Sequence, residues 1–264
     1  MDTILRSAGN TLVRVLLAPA CAACRAPLVR PLDHPVCPAC WTAIPRLVPP
    51  LCAWCGDMVA PGRLGFAVCD RCLARPPAFE VARSAGQYAG SLRRLIHAFK
   101  YERRRMLAAP LASLVRQSAG ELLDAADAVV PVPLHPLRAV ERGFNQADDV
   151  ARHLGRPVWR ALRRRRRGPP QASLPADQRV GNVSDAFAPR FALASTGRAS
   201  ARLRYRTVAL IDDVMTTGAT LDACSRVLME AGVSSVLALT VARAVAREPP
   251  PRPLPRHPSS LPHR

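Results

Sequence analysis

The sequence predicts an α/β domain whose mostly parallel sheet is wound on both faces, preceded by a small cysteine-rich module. Three observations carry this expectation. Eight of the nine cysteines fall as four C-x-x-C pairs before residue 77. From residue 78 to about 245, short apolar runs alternate with helix-patterned segments, the order that builds parallel sheets covered on both sides. Two of those runs, "VALIDD" and "SSVLALTVAR", have the near-continuous apolar character of strands buried on both faces.

In chain order, the start "MDTILRSAGNTLVRVLLAPAC" superficially resembles an export signal. Asp2 and Arg14 interrupt it, its apolar stretch is shorter than most signal cores, and Ala18 stands where a lipoprotein signal would want leucine. A short amphipathic helix over 1–16 is the better reading. No apolar run reaches the roughly 18 residues of a membrane span, so the chain is expected to be cytoplasmic.

The four cysteine pairs are Cys21/Cys24, Cys37/Cys40, Cys52/Cys55 and Cys69/Cys72, at nearly equal intervals within residues 17–77. Paired knuckle turns bring four thiolates around a tetrahedral ion. Disulfides do not suit a cytosolic chain, and a redox C-x-x-C is usually single and beside a βαβ unit. Two tandem zinc ribbons with two structural Zn²⁺ follow, closed to substrate because all four positions are filled. Spacing leaves the pairing order open, first with second or interleaved. His34 is a spare ligand, Trp41 and Trp54 read as packing residues, and Cys224 reads as a buried small hydrophobe.

In the next region, 78–245, "EVARSAGQY" reads as a strand-like lead-in and "GSLRRLIHAF" as an amphipathic helix. "RRRMLAAPLASLVRQSAGELL" is helical, with Pro110 marking either a kink or a first turn. "AVVPVPL" is a strand ending in a proline-bounded loop. "NQADDVARHL" is a helix that Asn145 can cap. After "VALIDD", Leu221, Cys224 and Leu228 form one helical stripe, and Gly232 ends it. The tail, 246–264, is rich in proline and arginine without periodicity and is expected to be disordered.

Composition says less than it first suggests. The 264 residues carry a net charge of +19, which normally points to anionic partners. Lys100, however, is the only lysine. A general drift to arginine inflates the charge everywhere, so charge by itself argues little for nucleic acid. Keeping one amine in such a chain hints at a need for a compact charge at Lys100.

The segment "VALIDDVMTTGAT", 208–220, carries the chemistry. An apolar strand ending in two acids also looks like a Walker B segment, but no glycine-rich loop precedes the sole lysine, and no G-x-G occurs. What remains is a ligand with both a diol and a phosphate. Thr216, Thr217, Gly218, Ala219 and Thr220 would turn from a strand end into a helix start, where N–H groups and the helix dipole favour a phosphate monoester. Gly218 allows a backbone angle other residues avoid. Asp212 and Asp213 can accept hydrogen bonds from vicinal hydroxyls on the same ligand, and a 5-phosphoribosyl group has that arrangement.

This segment resembles the phosphoribosyl pyrophosphate (PRPP) motif of type I phosphoribosyltransferases. Together with "YAGSLRRLIHAFKY", "VVPVPLHPLRAVERGFNQA", "QASLPADQRVGNVSDAF" and the preceding ribbons, the chain resembles the ComF, or GntX-like, family from about Cys21 to Arg243. It departs at "RRRRRGPPQ", where relatives usually carry a threonine between the arginines and the glutamine. The resemblance implies a phosphoribosyltransferase-like domain over 78–245. Asp212 and Asp213 would anchor ribose hydroxyls at the transfer step, with Mg²⁺ held mostly by ligand oxygens and water. Pro131, Val132 and Pro133 would form the pyrophosphate loop, and Arg167, Gln171 and Arg179 would belong to a closing loop. Lys100, Arg142 and Asn145 are further candidates for ligand contact or for bracing that loop, while His97 and His135 read as solvent-facing or satisfied histidines.

The family's implied role is competence, the uptake of DNA, with single-stranded DNA and a translocating helicase as partners. Two function classes stay open: a transferase of nucleotide metabolism with an unidentified nitrogen acceptor, and a non-catalytic adapter that binds PRPP or single-stranded DNA.

Overall fold

The computed structural model describes residues 10, 19–59, 67–165, 186–190 and 206–245. Apart from Asn10, the expected N-terminal helix lies outside the described residues. So do Arg167, Gln171, Arg179 and the tail 246–264.

Four strands form one parallel sheet in the order β1-β6-β5-β2. They are β1 (Val81–Ser84), β2 (Ala128–Pro131), β5 (Thr207–Met215) and β6 (Ser235–Arg243). Two short strands, β3 (Leu162–Arg164) and β4 (Phe187–Pro189), pair antiparallel beside it. The central strands are apolar almost throughout because both of their faces are covered. Ala209 and Ile211 of β5 point into one core and Val208 and Leu210 into the other, the two-residue period of a pleat. The resulting fold is an α/β domain with a parallel sheet, preceded by a double zinc-ribbon module.

On one face lie α3 (Gly90–Tyr101), α4 (Ala108–Ala125) and α6 (Gln146–Ala151). Leu92, Leu95, Ile96 and Phe99 make the buried stripe of α3 at helical spacing. Pro110 falls in the first turn of α4, where its missing N–H would have had no partner. The bend comes instead at Ala119, with φ −144° and ψ 31°, next to Gly120. Asn145 caps α6, its side chain accepting from the Ala147 N–H at 3.1 Å. On the other face lies α7 (Ala219–Glu230), with Leu221, Cys224 and Leu228 on its buried stripe.

The ribbons are not a separate body. Cys21, Val36 and Ile44 of the first pack into the core under α3 and α4, while Cys52, Cys55 and Cys72 of the second pack into the α7 core. Each ribbon carries one short helix, α1 (Pro38–Thr42) and α2 (Asp70–Ala74), starting at its third cysteine. Equivalent turn positions after the first pair of each ribbon are left-handed, Arg25 at φ 66° and Gly56 at φ 67°. In the first, Arg25 stands at the surface, where its guanidinium pairs with Glu102. In the second, a Cβ on Gly56 would lie 2.6 Å from the Ala82 carbonyl oxygen of β1, so only glycine fits.

Leu210 is 0% exposed at the centre of β5. Leu210→Ala is therefore expected to cost about 2–5 kcal/mol in urea unfolding. Leu137→Ala, at a position 75% exposed, should stay within about 0.5 kcal/mol. Equal effects would mean the two-faced core is misassigned.

Candidate functional site

The carboxyl end of β5 opens into a cavity of about 310 Å³. Asp212, Asp213, Thr216 and Thr220 form one wall, Val132 and Pro133 another, and Lys100 and Arg142 reach in from the helical face. Parallel strands put this opening where adjacent connections part, the usual binding edge of such sheets.

The acid pair is held asymmetrically. Lys100, the penultimate residue of α3, places its Nζ 2.7 Å from Asp213 Oδ1, with both side chains only 13% and 15% exposed. Asp212 Oδ1 accepts the Asp213 backbone N–H at 2.8 Å. Desolvation and the neighbouring Asp213 charge push the Asp212 carboxyl up to about 7, against the lowering pull of that N–H, Lys100 and Arg164. One acid is thus neutralised by a fixed amine, and the other is poised to lose its proton near neutrality.

The loop after β5 is split between two spaces. Gly218, in the left-handed conformation at φ 87°, caps α7. Thr216 and Thr220 face the acid cavity. Thr217, Gly218 and Ala219 line a neighbouring cavity of about 410 Å³ shared with Arg71, Cys55 and Cys72 of the second ribbon. The first N–H groups of α7 have no carbonyl one turn earlier to receive them. The loop is a donor edge between two cavities rather than a cradle around one.

The remaining candidates separate by what already holds them. The Val132 N–H goes to the Ile211 carbonyl at 2.9 Å, and its carbonyl accepts from Asn145 Nδ2 at 3.0 Å. Pro131 lies in β2 and Pro133 has no N–H, so this loop is braced and offers little amide donation. Arg142 is buried, donating to Gln146 Oε1 at 3.0 Å and lying 5.1 Å from the Tyr101 ring centre. Its buried Nε has no partner among the described residues. His135 Nδ1 accepts the Leu137 N–H, which caps α5 (Pro136–Arg142), and His97 is solvent-facing, its ring packed at a 46° tilt against Tyr101.

Sequence reasoning missed Arg164, Arg138 and Tyr88, which line the acid cavity. Arg164 sits in β3 as the second arginine of the five-arginine run. Its register in that short strand selects it, and no local pattern marks it out.

The cysteines resolve into Cys21, Cys24, Cys37 and Cys40 in one cluster and Cys52, Cys55, Cys69 and Cys72 in the other, so successive pairs combine. Within each, all sulfurs lie within 4.8 Å of one another. Four thiolates at a Zn–S distance near 2.3 Å stand about 3.8 Å apart. Cys24–Cys37 and Cys55–Cys69 are 3.8 and 3.7 Å apart, so the residues fit zinc. Burial raises Cys21, but N–H groups of Cys37, Cys24 and Ala23 outweigh it and bring the thiol down to about 6. In Cys52 burial likewise raises the thiol, and N–H groups of Cys55, Cys69 and Trp54 bring it to about 7. Each cluster thus holds a sulfur ready to be a thiolate. Neither includes His34.

Residues 12–73 match the family described as "Double zinc ribbon domain". The DNA utilization protein YhgH of Escherichia coli (strain K12) is 32% identical over 229 residues, 82% of this chain and 93% of that protein. Competence protein F of Haemophilus influenzae is 30% identical over 207 residues, 74% of this chain and 85% of that protein. Among solved structures, TT1426 from Thermus thermophilus aligns at 23% identity over 55% of this chain and 84% of its own, with a TM-score of 0.29. The allosteric regulatory enzyme of purine biosynthesis aligns at 19% identity over 55% of this chain and 29% of its own, with a TM-score of 0.36. No helix among the described residues is long and apolar enough to cross a membrane.

Removing the amine while leaving the acids should be costly. Lys100→Met is expected to destabilise the fold by about 3 kcal/mol at pH 8, because it strands a largely buried carboxylate. It should also move the Asp212 titration above neutrality, read by carbon NMR of the carboxyl. Adding Asp213→Asn should recover most of both losses, and strict additivity in the double mutant would refute the pairing.

Proposed function

We propose that this chain, which belongs to the ComF family of DNA utilization and competence proteins, binds PRPP or a related phosphoribosyl ligand in the cavity at the end of β5, and works in DNA uptake. One observation carries the reading. Asp212 and Asp213 share a cavity wall with Thr216 and with Thr220 in the first turn of α7. That arrangement suits vicinal hydroxyls at one end of a sugar and a phosphate ester at the other. Arg142 lines the same cavity and is held there by Gln146 Oε1, which places a cation beside the expected anion.

The protein's own chemistry follows from the asymmetry of the acids. Asp213, paired with Lys100, is a fixed charge; Asp212 must ionise to accept hydrogen bonds from ribose hydroxyls. In a transferase cycle the anomeric C–O bond breaks as a nitrogen nucleophile forms the C–N bond, and pyrophosphate leaves. Positive charge then builds on the sugar, and the acid pair would stabilise it electrostatically. The donor set suits a Mg²⁺ that arrives on the ligand's own oxygens, since Asp213 is committed to Lys100 and no cage of carboxylates surrounds the site among the described residues. When bound, that ion would neutralise the pyrophosphate.

A second reading, a binding adapter without transfer, draws on the Val132 loop. With its N–H donated to Ile211, that loop holds back an amide that could stabilise the leaving pyrophosphate. In this reading the ribbons dock a partner such as a helicase, and arginines follow the phosphates of single-stranded DNA.

Calorimetry with PRPP and Mg²⁺ tests the pocket. The wild type should bind, and the Asp212→Asn, Asp213→Asn pair should lose roughly 100-fold, as expected for two charged hydrogen bonds. Unchanged affinity in that variant would defeat the proposal. Pyrophosphate release across a panel of nitrogen bases separates transferase from adapter. Single-stranded DNA affinity measured against salt tests the arginines, since true phosphate contacts weaken steeply as salt rises.

The pH dependence has a definite sign. With Asp212 raised to about 7, ligand binding must first expel a proton at lower pH. Affinity for PRPP should fall about tenfold per pH unit below 7 and level off above it. A profile flat between pH 5 and 8 would contradict this.

A further inference from the structure

Arg243, the last residue of β6, is 0% exposed and heads the fully buried side chains by volume. A guanidinium out of water requires partners, and those of Arg243 lie in the second ribbon and beside the β5 loop. Nη2 stands 2.8 Å from the Asp57 carboxylate and 3.7 Å from Cys55 Sγ. Nη1 donates to the Cys55 carbonyl at 2.7 Å and lies 3.1 Å from Met215 Sδ. Asp57 also meets Arg71 at 3.1 Å, and Arg71 reaches the same Cys55 sulfur at 3.5 Å.

Met215 ends β5 immediately before the loop. Its Cε occupies the space a Cβ on Gly218 would need, at 2.7 Å. The Ala244 N–H donates to the Met215 carbonyl at 2.9 Å, tying the same point to the end of β6. Just past the loop, Asp222 in the first turn of α7 accepts the Ala78 N–H at 2.7 Å, and Ala78 follows directly on the second ribbon. The Thr216–Thr220 segment is therefore pinned before and after by contacts that lead to one cysteine cluster. The first cluster packs on the opposite face of the sheet, under α3 and α4.

We propose that Arg243 is a positioning residue that locks the Thr216–Thr220 loop to the Cys52/Cys55/Cys69/Cys72 cluster, so that metal in this cluster, and not in the first, fixes the loop's shape and its affinity for a phosphate ester. The affinity clause rests on the phosphoribosyl reading above; the mechanical coupling does not.

The experiment uses the full-length zinc-loaded chain. Loop exchange is followed without ligand at the amides that pin the loop, those of Ala244, Asp222 and Ala78, which bond Met215, Gly218 and Asp222, beside zinc content, and PRPP–Mg²⁺ affinity is measured separately. Cys72→Ser and Arg243→Met should each speed loop exchange about tenfold, while Cys24→Ser in the first cluster leaves it unchanged. Arg243→Lys keeps the charge but loses the forked donors. It should retain two zinc ions and normal exchange in the middle of β6, yet still loosen the loop. This variant keeps the test decisive if Arg243→Met fails to fold. Wild-type loop exchange in Arg243→Lys, or equal loosening from either cysteine variant, overturns the proposal. Should the wild type bind no PRPP while the loop still loosens as described, the phosphoribosyl reading falls and the coupling stands.

Discussion

Two carboxylates on consecutive residues at the end of a buried strand repel by about 3–4 kcal/mol at contact distance in a moderately polar interior. Lys100 relieves one of them at 2.7 Å, and the rise of Asp212 to about 7 relieves the other by keeping it largely protonated below neutrality. Much of the architecture serves this arrangement. α3 has to end at the mouth of the cavity to deliver the amine, so its apolar stripe must lie along the sheet, and α4 and α6 close over the same core. An arginine at position 100 would bring a larger, planar head to a space fitted for one compact charge. That is a physical reason for the sole lysine of an arginine-rich chain to stand here.

The cysteine clusters solve a different problem. Ribbons of about 25 residues have too little apolar surface to hold a fold by burial alone, and four sulfurs spaced to fit a zinc ion are what such a module has in place of a core. Here they also extend the cores of the main domain, one on each face of the sheet. The second ribbon comes so close to β1 that Gly56 has no room for a side chain. A module that composition marks as separate thus becomes part of the wall of the α/β domain. Its cysteines share a cavity with the loop that caps α7.

Much of this was legible locally. Continuous apolar runs marked β5 and β6, the Leu221/Cys224/Leu228 stripe marked α7, and the cap at Asn145 marked the start of α6. Gly218 was readable as a left-handed position because a strand-to-helix turn demands one. Where Pro110 left two outcomes, the chain took the first turn of α4 and bent at Ala119 instead. The division of the loop between two cavities was not legible, since Thr217 and Thr216 look alike until a ribbon is packed behind one of them. Among the described residues of "RRRRR", Arg164 reaches the acid cavity, chosen by pairing in a three-residue strand that no periodicity announces.

The amino-acid order alone determined the alternation of strands and helices, the eight thiols at metal-ligand spacing and the acid pair followed by a glycine turn. These are set by neighbours within a few positions, through side-chain period, ligand spacing and turn geometry. Only tertiary structure decided which cysteine pairs combine, that Lys100 meets Asp213 from 113 residues away, and that Arg243 reaches Cys55 across 188. Contacts of that separation depend on which faces pack together, and a charged side chain in sequence carries no mark of the partner that will make its burial affordable.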